Sequence, residues 1–366
     1  MTREKQLHQP TSLLTKFKER KLAWGSAGLA VIGIALWGVL ALFGSRDLLP
    51  LRVELGSRSV SKLPFVVALD QGLYEKYGLD IELWMPEPDF DAGINTLTRW
   101  SYRQFERFAI KSWEPEVIVR GGNSHIYRTA TSSKKTDEIF LAATDCIVRA
   151  HVVAADGIER LEDLKGKRIG VSNISSNTGF AALLVADRMG WDPVQDISIL
   201  RGGDSLDAAL EQRVDAVIGH ERLLAEARQK GLKVLASLSE WGEFPIAGNS
   251  VRVKREWLDD PRNREAARRF LQATIEGIAI FHQNRELVLE VIETWHGVTD
   301  TAYAETVYEE GRWIPRKPYP CYEGIRRSMA RYDSREMRRF MPADFYDDSL
   351  LRELDDEGFI DGLYSQ

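Results

Sequence analysis

The stretch LPFVVALDQGLYEKYGLDIEL, residues 63–83, joins a helical pattern to a strand pattern through two glycines. Pro64 suits the first turn of a helix, because proline lacks the N–H that would be unpaired there. Apolar residues follow it until Gly72 interrupts the run, and residues 79–84 then alternate between apolar and polar as a half-buried strand does. Residues 51–55 alternate in the same way. The segment therefore predicts a strand–helix–strand unit.

The rest of the chain continues this alternation of strands and helices. The alternation is clearest from residue 161 to residue 238. A strand is also predicted over 147–155, and a helix is predicted over 94–110. After residue 245 the chain is predicted to be mainly helical, with a break near Asn284. Alternating strands and helices predict an α/β fold with parallel sheets covered on both faces. A chain of 366 residues is long enough for two such compact units.

Charge and composition exclude several classes of function. The chain is 44% hydrophobic and 28% charged, which is ordinary for a globular protein. Its net charge is −6, yet residues 1–21 carry six basic and two acidic groups, so the remainder is strongly acidic. An acidic body repels a phosphate backbone, and nucleic acid is therefore not expected as a partner. No nucleophile elbow, phosphate-binding loop or zinc-protease motif indicates an enzyme, and no cofactor is predicted.

Residues 22–44, LAWGSAGLAVIGIALWGVLALFG, contain no charged side chain. A helix of this length spans roughly 34 Å, enough to cross a bilayer core of ~30 Å. The basic tail 1–21 is expected to stay in the cytoplasm, which places the body in the periplasm or outside the cell. A cleaved signal peptide and a buried core helix are the alternatives. The long run, with bulky Leu42 and Phe43 near its end, favours an uncleaved single-pass anchor in the cytoplasmic membrane.

The two cysteines, Cys146 and Cys321, are too few for a disulfide framework or a multi-cysteine metal site. They fit either two isolated buried thiols or one long-range disulfide. Export to an oxidising compartment would permit the second arrangement. The sequence leaves both open.

Three segments of the chain resemble the nitrate/sulfonate/thiamine-precursor group of ABC-transporter substrate-binding proteins. The first is 63–83, where Pro, Ala, Gly, an aromatic residue and a Gly-Leu pair recur in the order of that group. They are here Pro64, Ala68, Gly72, Tyr74, Gly78 and Leu79. Residues 158–171, IERLEDLKGKRIGV, are similar to the segment that crosses between the lobes, and 346–364 resembles the C-terminal helix and tail. Residues 112–122 depart from the group's pattern.

This resemblance implies a type II periplasmic-binding-protein-like fold, in which two α/β lobes enclose a ligand cleft. Lobe one is expected to contain 51–150 plus 245–366, and lobe two 151–244. Together with the N-terminal segment, the predicted organisation is a cytoplasmic tail, a transmembrane helix and a two-lobed body. One enzyme resembles these binding proteins, the thiamine-pyrimidine synthase, but its cysteine-rich iron motif cannot form from two distant cysteines.

Ligands in open α/β sheets bind at the carboxyl ends of strands, beside helix N-termini that offer unpaired N–H groups. Three polar loops fit this position: 57–61, 121–124 and 172–178. Helix capping and plain turns are the alternative roles for their serines, asparagines and glycines. Arg120 and Arg201 are candidates to neutralise an anion, although each is equally compatible with a solvated arginine. The candidate ligand-binding residues are Ser57, Ser61, Phe65, Gly121, Asn123, Ser124, Ser175, Ser176, Asn177, Thr178, His220, Trp241 and Phe244.

The sequence thus predicts a membrane-tethered, extracytoplasmic solute-binding component of an ABC importer. Its expected ligand is a small anionic or heteroaromatic solute, and its expected partners are a permease and the ATPase of that permease. The alternative is a membrane-anchored sensor or assembly protein that uses the same ligand-binding fold. An extracytoplasmic enzyme is the third possibility.

Overall fold

The computed structural model describes residues 48–85, 114–131, 137–298 and 300–365. The predicted tail 1–21, the apolar segment 22–44 and the helix predicted over 94–110 lie outside these residues. Within the described ranges, no helix is both long and apolar enough to cross a membrane.

Ten strands and thirteen α-helices are found in the described part of the chain. The strands are β1 (Leu49–Leu55), β2 (Leu79–Trp84), β3 (Val117–Gly121), β4 (Glu138–Ala143), β5 (His151–Ala154), β6 (Arg168–Val171), β7 (Ser198–Arg201), β8 (Ala216–Gly219), β9 (Val234–Ser237) and β10 (Asn249–Lys254). The helices are α1 (Leu63–Asp70), α2 (Leu73–Lys76), α3 (Gly122–Thr131), α4 (Asn177–Met189), α5 (Leu206–Leu210), α6 (Glu221–Gln229), α7 (Arg255–Leu258), α8 (Pro261–Gln283), α9 (Arg285–His296), α10 (Thr301–Gly311), α11 (Tyr322–Arg331), α12 (Ser349–Asp356) and α13 (Phe359–Gly362). Short 3₁₀ turns occur at Val60–Lys62, Leu161–Leu164, Leu238–Trp241, Met337–Arg339 and Pro342–Phe345.

The strands form two separate five-stranded sheets, each at the centre of one lobe. The first sheet has the order β2-β1-β3-β10-β4 and the second the order β7-β6-β8-β5-β9. We refer to the lobe built on the first sheet, with the helices that follow β10, as the first lobe. The second lobe contains the second sheet and helices α4 to α6. The two-lobed α/β architecture expected from the sequence is confirmed, while the predicted boundaries of the lobes stay predictions.

The prediction of parallel sheets is only partly right, because both sheets are mixed. Strand β10 runs antiparallel to β3 and β4, and β5 runs antiparallel to β8 and β9. Parallel neighbours need a crossover connection, usually helical, whereas β5 and β10 each follow a direct passage from one sheet to the other. A pattern of alternating elements does not reveal that the chain has changed sheets.

Two crossing segments, residues 144–150 and 244–248, carry the chain between the lobes side by side. Ile147 and Pro245 form an isolated antiparallel bridge. The Val148 N–H donates to the Phe244 carbonyl at 2.9 Å, and the Ile246 N–H to the Cys146 carbonyl at 3.0 Å. The strand predicted over 147–155 is therefore shorter than expected, because its first residues pair with the other crossing segment before β5 begins.

The core of the first lobe forms where α8 packs across α1. Phe270 of α8 stacks on Phe65 with ring centroids 5.9 Å apart, and on Tyr74 at 5.6 Å. All three side chains are buried. The apolar face of the strand–helix–strand segment 63–83 is thus covered by a helix that lies two hundred residues further along the chain.

A disulfide joins Cys146 in the first crossing segment to Cys321, the residue that precedes α11. The alternative of two isolated thiols is therefore wrong. Helix α11 also approaches the second crossing segment closely, since a Cβ on Gly324 would lie 2.1 Å from the Ile246 carbonyl carbon and oxygen. Both crossing segments are consequently held against the first lobe.

We expect the Cys146→Ser/Cys321→Ser double variant to be less stable than the wild type. The bond joins residues 175 positions apart, and in the chain-entropy model a loop of that length contributes about 5 kcal/mol. The measurement is urea-induced unfolding with and without a reducing agent. Reduction should lower the midpoint of the wild type to that of the double variant and leave the variant unchanged. Equal midpoints for both oxidised proteins would contradict the prediction.

A buried ionic cluster connects β4, β10 and α3 in the first lobe. Glu138 Oε2 lies 3.3 Å from His125 Nδ1 and 2.8 Å from Arg252 Nη1. His125 and Arg252 lower the pKa of the Glu138 carboxyl to about 2. Burial lowers the pKa of the Arg252 guanidinium to about 10, so this cation depends on its carboxylate partner.

Glu138→Gln should destabilise the protein by about 3 kcal/mol at pH 7, because it leaves a buried guanidinium without its counter-ion. A carboxyl whose pKa is lowered on folding stabilises the native state above its unfolded pKa, and this contribution is lost as the pH falls through its folded pKa. The gap in Tm between variant and wild type should thus be constant above about pH 5 and narrow towards pH 2. Glu323→Gln, at an exposed carboxylate, is the control and should change Tm little. A Tm difference between Glu138→Gln and the wild type that does not depend on pH would contradict the role given to the Glu138 carboxylate.

Candidate functional site

A cavity of about 450 Å³ lies between the two lobes. This volume is in the range of small-molecule sites in proteins. The first lobe and its crossing segments contribute Ser57, Arg58, Ser59, Val60, Ser61, Lys62, Gly121, Ser124, Asp145, Arg149, Asn249 and Glu310. The second lobe contributes Ser172, Ser176, Asn177, Thr178, Asp204, Ser205, Gly219, His220, Glu221, Arg222, Leu223 and Glu226.

Eight of the thirteen candidate residues line this cavity, and all three predicted loops reach it. The eight are Ser57, Ser61, Gly121, Ser124, Ser176, Asn177, Thr178 and His220. The carboxyl ends of β3, β6 and β8 carry most of them, as expected for strand-to-helix loops in α/β sheets.

The three aromatic candidates do not line the cavity. Phe65 is completely buried in the core of the first lobe. Trp241 and Phe244 pack against the core of the second lobe, and the Arg188 guanidinium covers the Trp241 ring at 5.1 Å. Large apolar side chains next to a cleft loop are more often drawn into the core than exposed to the cleft, and here they are.

Asn123 and Ser175 connect the lobes and do not line the cavity. Asn123 Nδ2 donates to the Ser175 carbonyl at 3.0 Å and to the Tyr332 hydroxyl at 2.8 Å. Ser124 Oγ donates to the same Ser175 carbonyl at 3.0 Å. These bonds hold the start of α3 in the first lobe against loop 172–178 of the second lobe.

The arginines proposed from the sequence are also absent from the cavity lining. Arg120 pairs with Glu54 within the first sheet, and Arg201 is exposed at the end of β7. The backbone at the start of α3 is likewise engaged, since the Gly122 N–H donates to Gly248 and the Asn123 N–H to Ala247, both at 2.6 Å. The crossing segment, rather than open solvent, satisfies these N-terminal amides.

Loop 172–178 has a dense hydrogen-bond network of its own. Ser176 caps α4 by accepting a bond from the Gly179 N–H at 3.2 Å. Thr178 Oγ1 accepts from the Ser172 N–H at 3.1 Å. Asn177 differs, because its buried Oδ1 has no hydrogen-bond partner among the described residues. The capping alternative therefore holds for Ser176, while Asn177, a cavity residue, retains a buried acceptor without a partner among the described residues.

Lys62 is a cavity residue that the sequence reasoning missed. It ends the 3₁₀ turn Val60–Lys62 and is buried, and its Nζ donates to Ser57 Oγ at 2.8 Å and to Ser59 Oγ at 3.2 Å. Burial lowers the pKa of its ammonium to about 8, although the nearby carboxylates of Glu221 and Asp145 act in the opposite direction. A lysine between a serine-rich loop and an apolar helix is the only signal that the sequence offers.

Glu221 is a second missed residue, at the start of α6. It is 6% exposed, and its Oε1 accepts a hydrogen bond from the Val60 N–H of the first lobe at 2.7 Å. The preceding His220 bonds through Nδ1 to the Arg149 carbonyl at 2.7 Å. Because a carbonyl only accepts, Nδ1 carries the proton, and in the neutral ring Nε2 is left as an acceptor.

The remaining charges of the cavity are arranged mostly as ion pairs. Arg149 Nη2 lies 3.4 Å from Asp145 Oδ1, and Arg222 Nε lies 2.8 Å from Glu226 Oε1. Glu310 contacts His151 at 3.3 Å. Lys62 and Glu221 differ, since each is buried and forms no ion pair with another described residue. Asp204, which also lines the cavity, is exposed to solvent. Lys62 and Glu221 are thus a buried cation and a buried anion at the cavity without an ion-pair partner among the described residues.

Comparisons with known proteins agree with this architecture. Residues 143–286 match the family model described as NMT1/THI5 like. No curated protein sequence matches the chain significantly.

Solved structures with the same fold cover most of the chain. The periplasmic aliphatic sulphonate binding protein SsuA of Escherichia coli is 15% identical with a TM-score of 0.58, over 81% of this chain and 99% of its own. The periplasmic nitrate-binding protein NrtA of Synechocystis is 12% identical with a TM-score of 0.63, over 85% and 89%. The ligand-binding component of an ABC-type import system from Staphylococcus aureus is 12% identical with a TM-score of 0.60, over 83% and 98%.

The matched segment begins at the last residue of β4, contains the whole second lobe and ends at the start of α9. Residues 143–286 thus match the NMT1/THI5-like family model, and the described part of the chain has the two-lobed fold of the periplasmic binding proteins to which it is similar.

Proposed function

We propose that this chain is the membrane-tethered, extracytoplasmic solute-binding component of an ABC importer. It captures a small anionic or heteroaromatic solute between two hinged lobes. The observation that carries this proposal is the polar cavity of about 450 Å³, to which both lobes contribute side chains. A solute that contacts both lobes favours their closed arrangement, and a permease then recognises that arrangement.

Polar bonds between the lobes support closure as the working motion. Ser175 accepts from Asn123 and Ser124, Arg331 pairs with Asp187 at 3.1 Å, and Glu221 accepts from Val60. Such bonds re-form with water when the lobes separate, so little net free energy opposes opening. The two crossing segments remain as the connection.

The apolar segment 22–44 supports the tether in this proposal. A single membrane-spanning helix keeps the binding protein near its permease and raises the effective concentration of one for the other. The nitrate- and sulphonate-binding proteins of the same fold are described as periplasmic, which supports an extracytoplasmic body.

The test of solute binding is thermal unfolding of the full chain in detergent, followed by tryptophan fluorescence. The panel contains sulfonates, nitrate, bicarbonate, pyrimidines, aromatic carboxylates and polyamines. A ligand at 100 times its Kd adds about 2.7 kcal/mol of stability, which raises Tm by a few degrees. Asn177→Ala should weaken the binding of any hit, because Asn177 lines the cavity and its Oδ1 is an acceptor without a partner among the described residues.

Asn263→Ala is the matched control, since Asn263 lies on α8 and bonds to Trp257 away from the cavity. It should leave the affinity for the hit unchanged. A folded protein that no solute of a broad panel stabilises would count against a binding protein.

The alternative is a membrane-anchored sensor or assembly protein with the same ligand-binding fold. The two functions differ in the partner that they require. In proteoliposomes, an importer component should raise the ATP hydrolysis of its permease–ATPase complex when solute is added, and the Asn177→Ala variant should raise it less. Co-purification with a membrane partner that lacks an ATPase would instead favour the alternative.

A further inference from the structure

The orientation of the Asn249 amide is fixed by the groups around it. Asn249 begins β10, is 3% exposed and lines the cavity. Thr144 Oγ1 donates its proton to the Ser61 carbonyl at 2.6 Å. The threonine oxygen then accepts from Asn249 Nδ2 at 2.8 Å, and the same Nδ2 lies 3.3 Å from the Ser61 carbonyl. A carbonyl oxygen cannot donate, so the flipped amide would place two acceptors together.

Asn249 Oδ1 is therefore a buried acceptor without a donor among the described residues. Buried carbonyl oxygens in native proteins are nearly always hydrogen-bonded, and one that is not destabilises the fold. Asn177 Oδ1, on the opposite lobe, has the same property and lines the same cavity. Each lobe thus has one asparagine at the cavity whose buried amide oxygen lacks an N–H or O–H partner among the described residues.

The two buried charges of the cavity without an ion-pair partner among the described residues also come one from each lobe: Lys62 from the first and Glu221 from the second. Lys62 donates to two serine hydroxyls and retains a third N–H. Among the described residues, the Glu221 carboxylate accepts a hydrogen bond from the Val60 N–H alone, and its second oxygen has capacity for a further donor. The cavity therefore needs one acidic group, for Lys62, and several hydrogen-bond donors, for Glu221 and the two asparagines.

We propose that the solute is amphoteric: one small molecule carries both an acidic group, bound by Lys62, and N–H donors, bound by Asn249, Asn177 and Glu221. This inference rests on the proposed function and specifies its ligand. An oxyanion such as nitrate or an alkanesulfonate has no N–H or O–H to donate, so it would leave both amide oxygens and Glu221 unsatisfied. A simple amine would leave the Lys62 ammonium buried without a counter-ion.

The experiment compares matched triads of probes on the full chain in detergent, by thermal shift and isothermal titration. One triad is 4-aminobutanoate, butanoate and butylamine, and another is aminopyrimidine carboxylate, pyrimidine carboxylate and aminopyrimidine. The library extends such triads over further aliphatic and heteroaromatic frameworks, and it includes nitrate and alkanesulfonates. At least one amphoteric member should bind 10-fold or more tightly than both of its truncated partners.

Two isosteric variants then locate each end of the bound probe. Lys62→Met should weaken the amphoteric probe about 10- to 100-fold, and it should not affect a partner that lacks the acid. Glu221→Gln keeps an acceptor for Val60 and should weaken the probe and its amine-bearing partner, but not the acid alone. Lys165→Met and Glu211→Gln, at exposed ion pairs outside the cavity, are the matched controls and should change no affinity.

The Tm of the unliganded variant distinguishes ligand binding by Lys62 from a purely structural role of this residue. Lys62→Met removes a desolvated ammonium, so the unliganded variant should have a Tm equal to or above that of the wild type while it loses affinity. A lower Tm together with unchanged affinity would overturn the proposal.

The remaining outcomes separate this inference from the proposed function. Hits confined to acids or to amines that are not amphoteric would overturn the inference and leave a solute-binding protein in place. Amphoteric hits that neither Lys62→Met nor Glu221→Gln affects would also overturn it. A folded protein stabilised by no member of any class would contradict the proposed function and the inference with it.

Discussion

The pairing of the two crossing segments is the constraint on which the rest of this structure depends. Residues 144–150 and 244–248 run side by side, joined by backbone bonds around Ile147 and Pro245. Because the chain leaves the first sheet and returns to it at one place, β5 and β10 must enter their sheets antiparallel to their neighbours. The same passage places the carboxyl ends of β3, β6 and β8 around one cavity. The strand directions and the position of the cavity therefore both follow from the paired crossing segments.

The cavity illustrates how a binding site can lower the stability of the unliganded protein. Most of its charges are neutralised within the protein, as in the Arg149–Asp145 and Arg222–Glu226 pairs. Lys62, Glu221 and the amide oxygens of Asn177 and Asn249 are not satisfied in this way. Groups left unsatisfied inside a folded protein lower its stability, and proteins tolerate this mainly where function requires it. These four side chains are thus the ones that carry ligand selectivity in the proposed function.

Local structure, such as the ends of a helix, could be predicted from the sequence, whereas contacts between distant segments could not. Helix α4 begins and ends where its sequence indicates, because Ser176 caps it and Gly190 adopts the left-handed conformation that terminates it. Phe65 was predicted at the cleft although Phe270 buries it, and Lys62 was overlooked three positions earlier. Those assignments depend on which segment packs against residues 57–65, and that segment is remote in sequence. The acceptor role of Asn249 depends in the same way on Thr144 and Ser61.

The bond between Cys146 and Cys321 closes a covalent ring that contains the entire second lobe. Both crossing segments lie on this ring, apart from the first residues of the first one. A protease that cuts once anywhere between the two cysteines would therefore open a loop without releasing a fragment, and the polypeptide would separate only after reduction. In the proposed function the body faces extracytoplasmic proteases, and the disulfide then preserves the covalent continuity of a cut chain as well as constraining the unfolded chain.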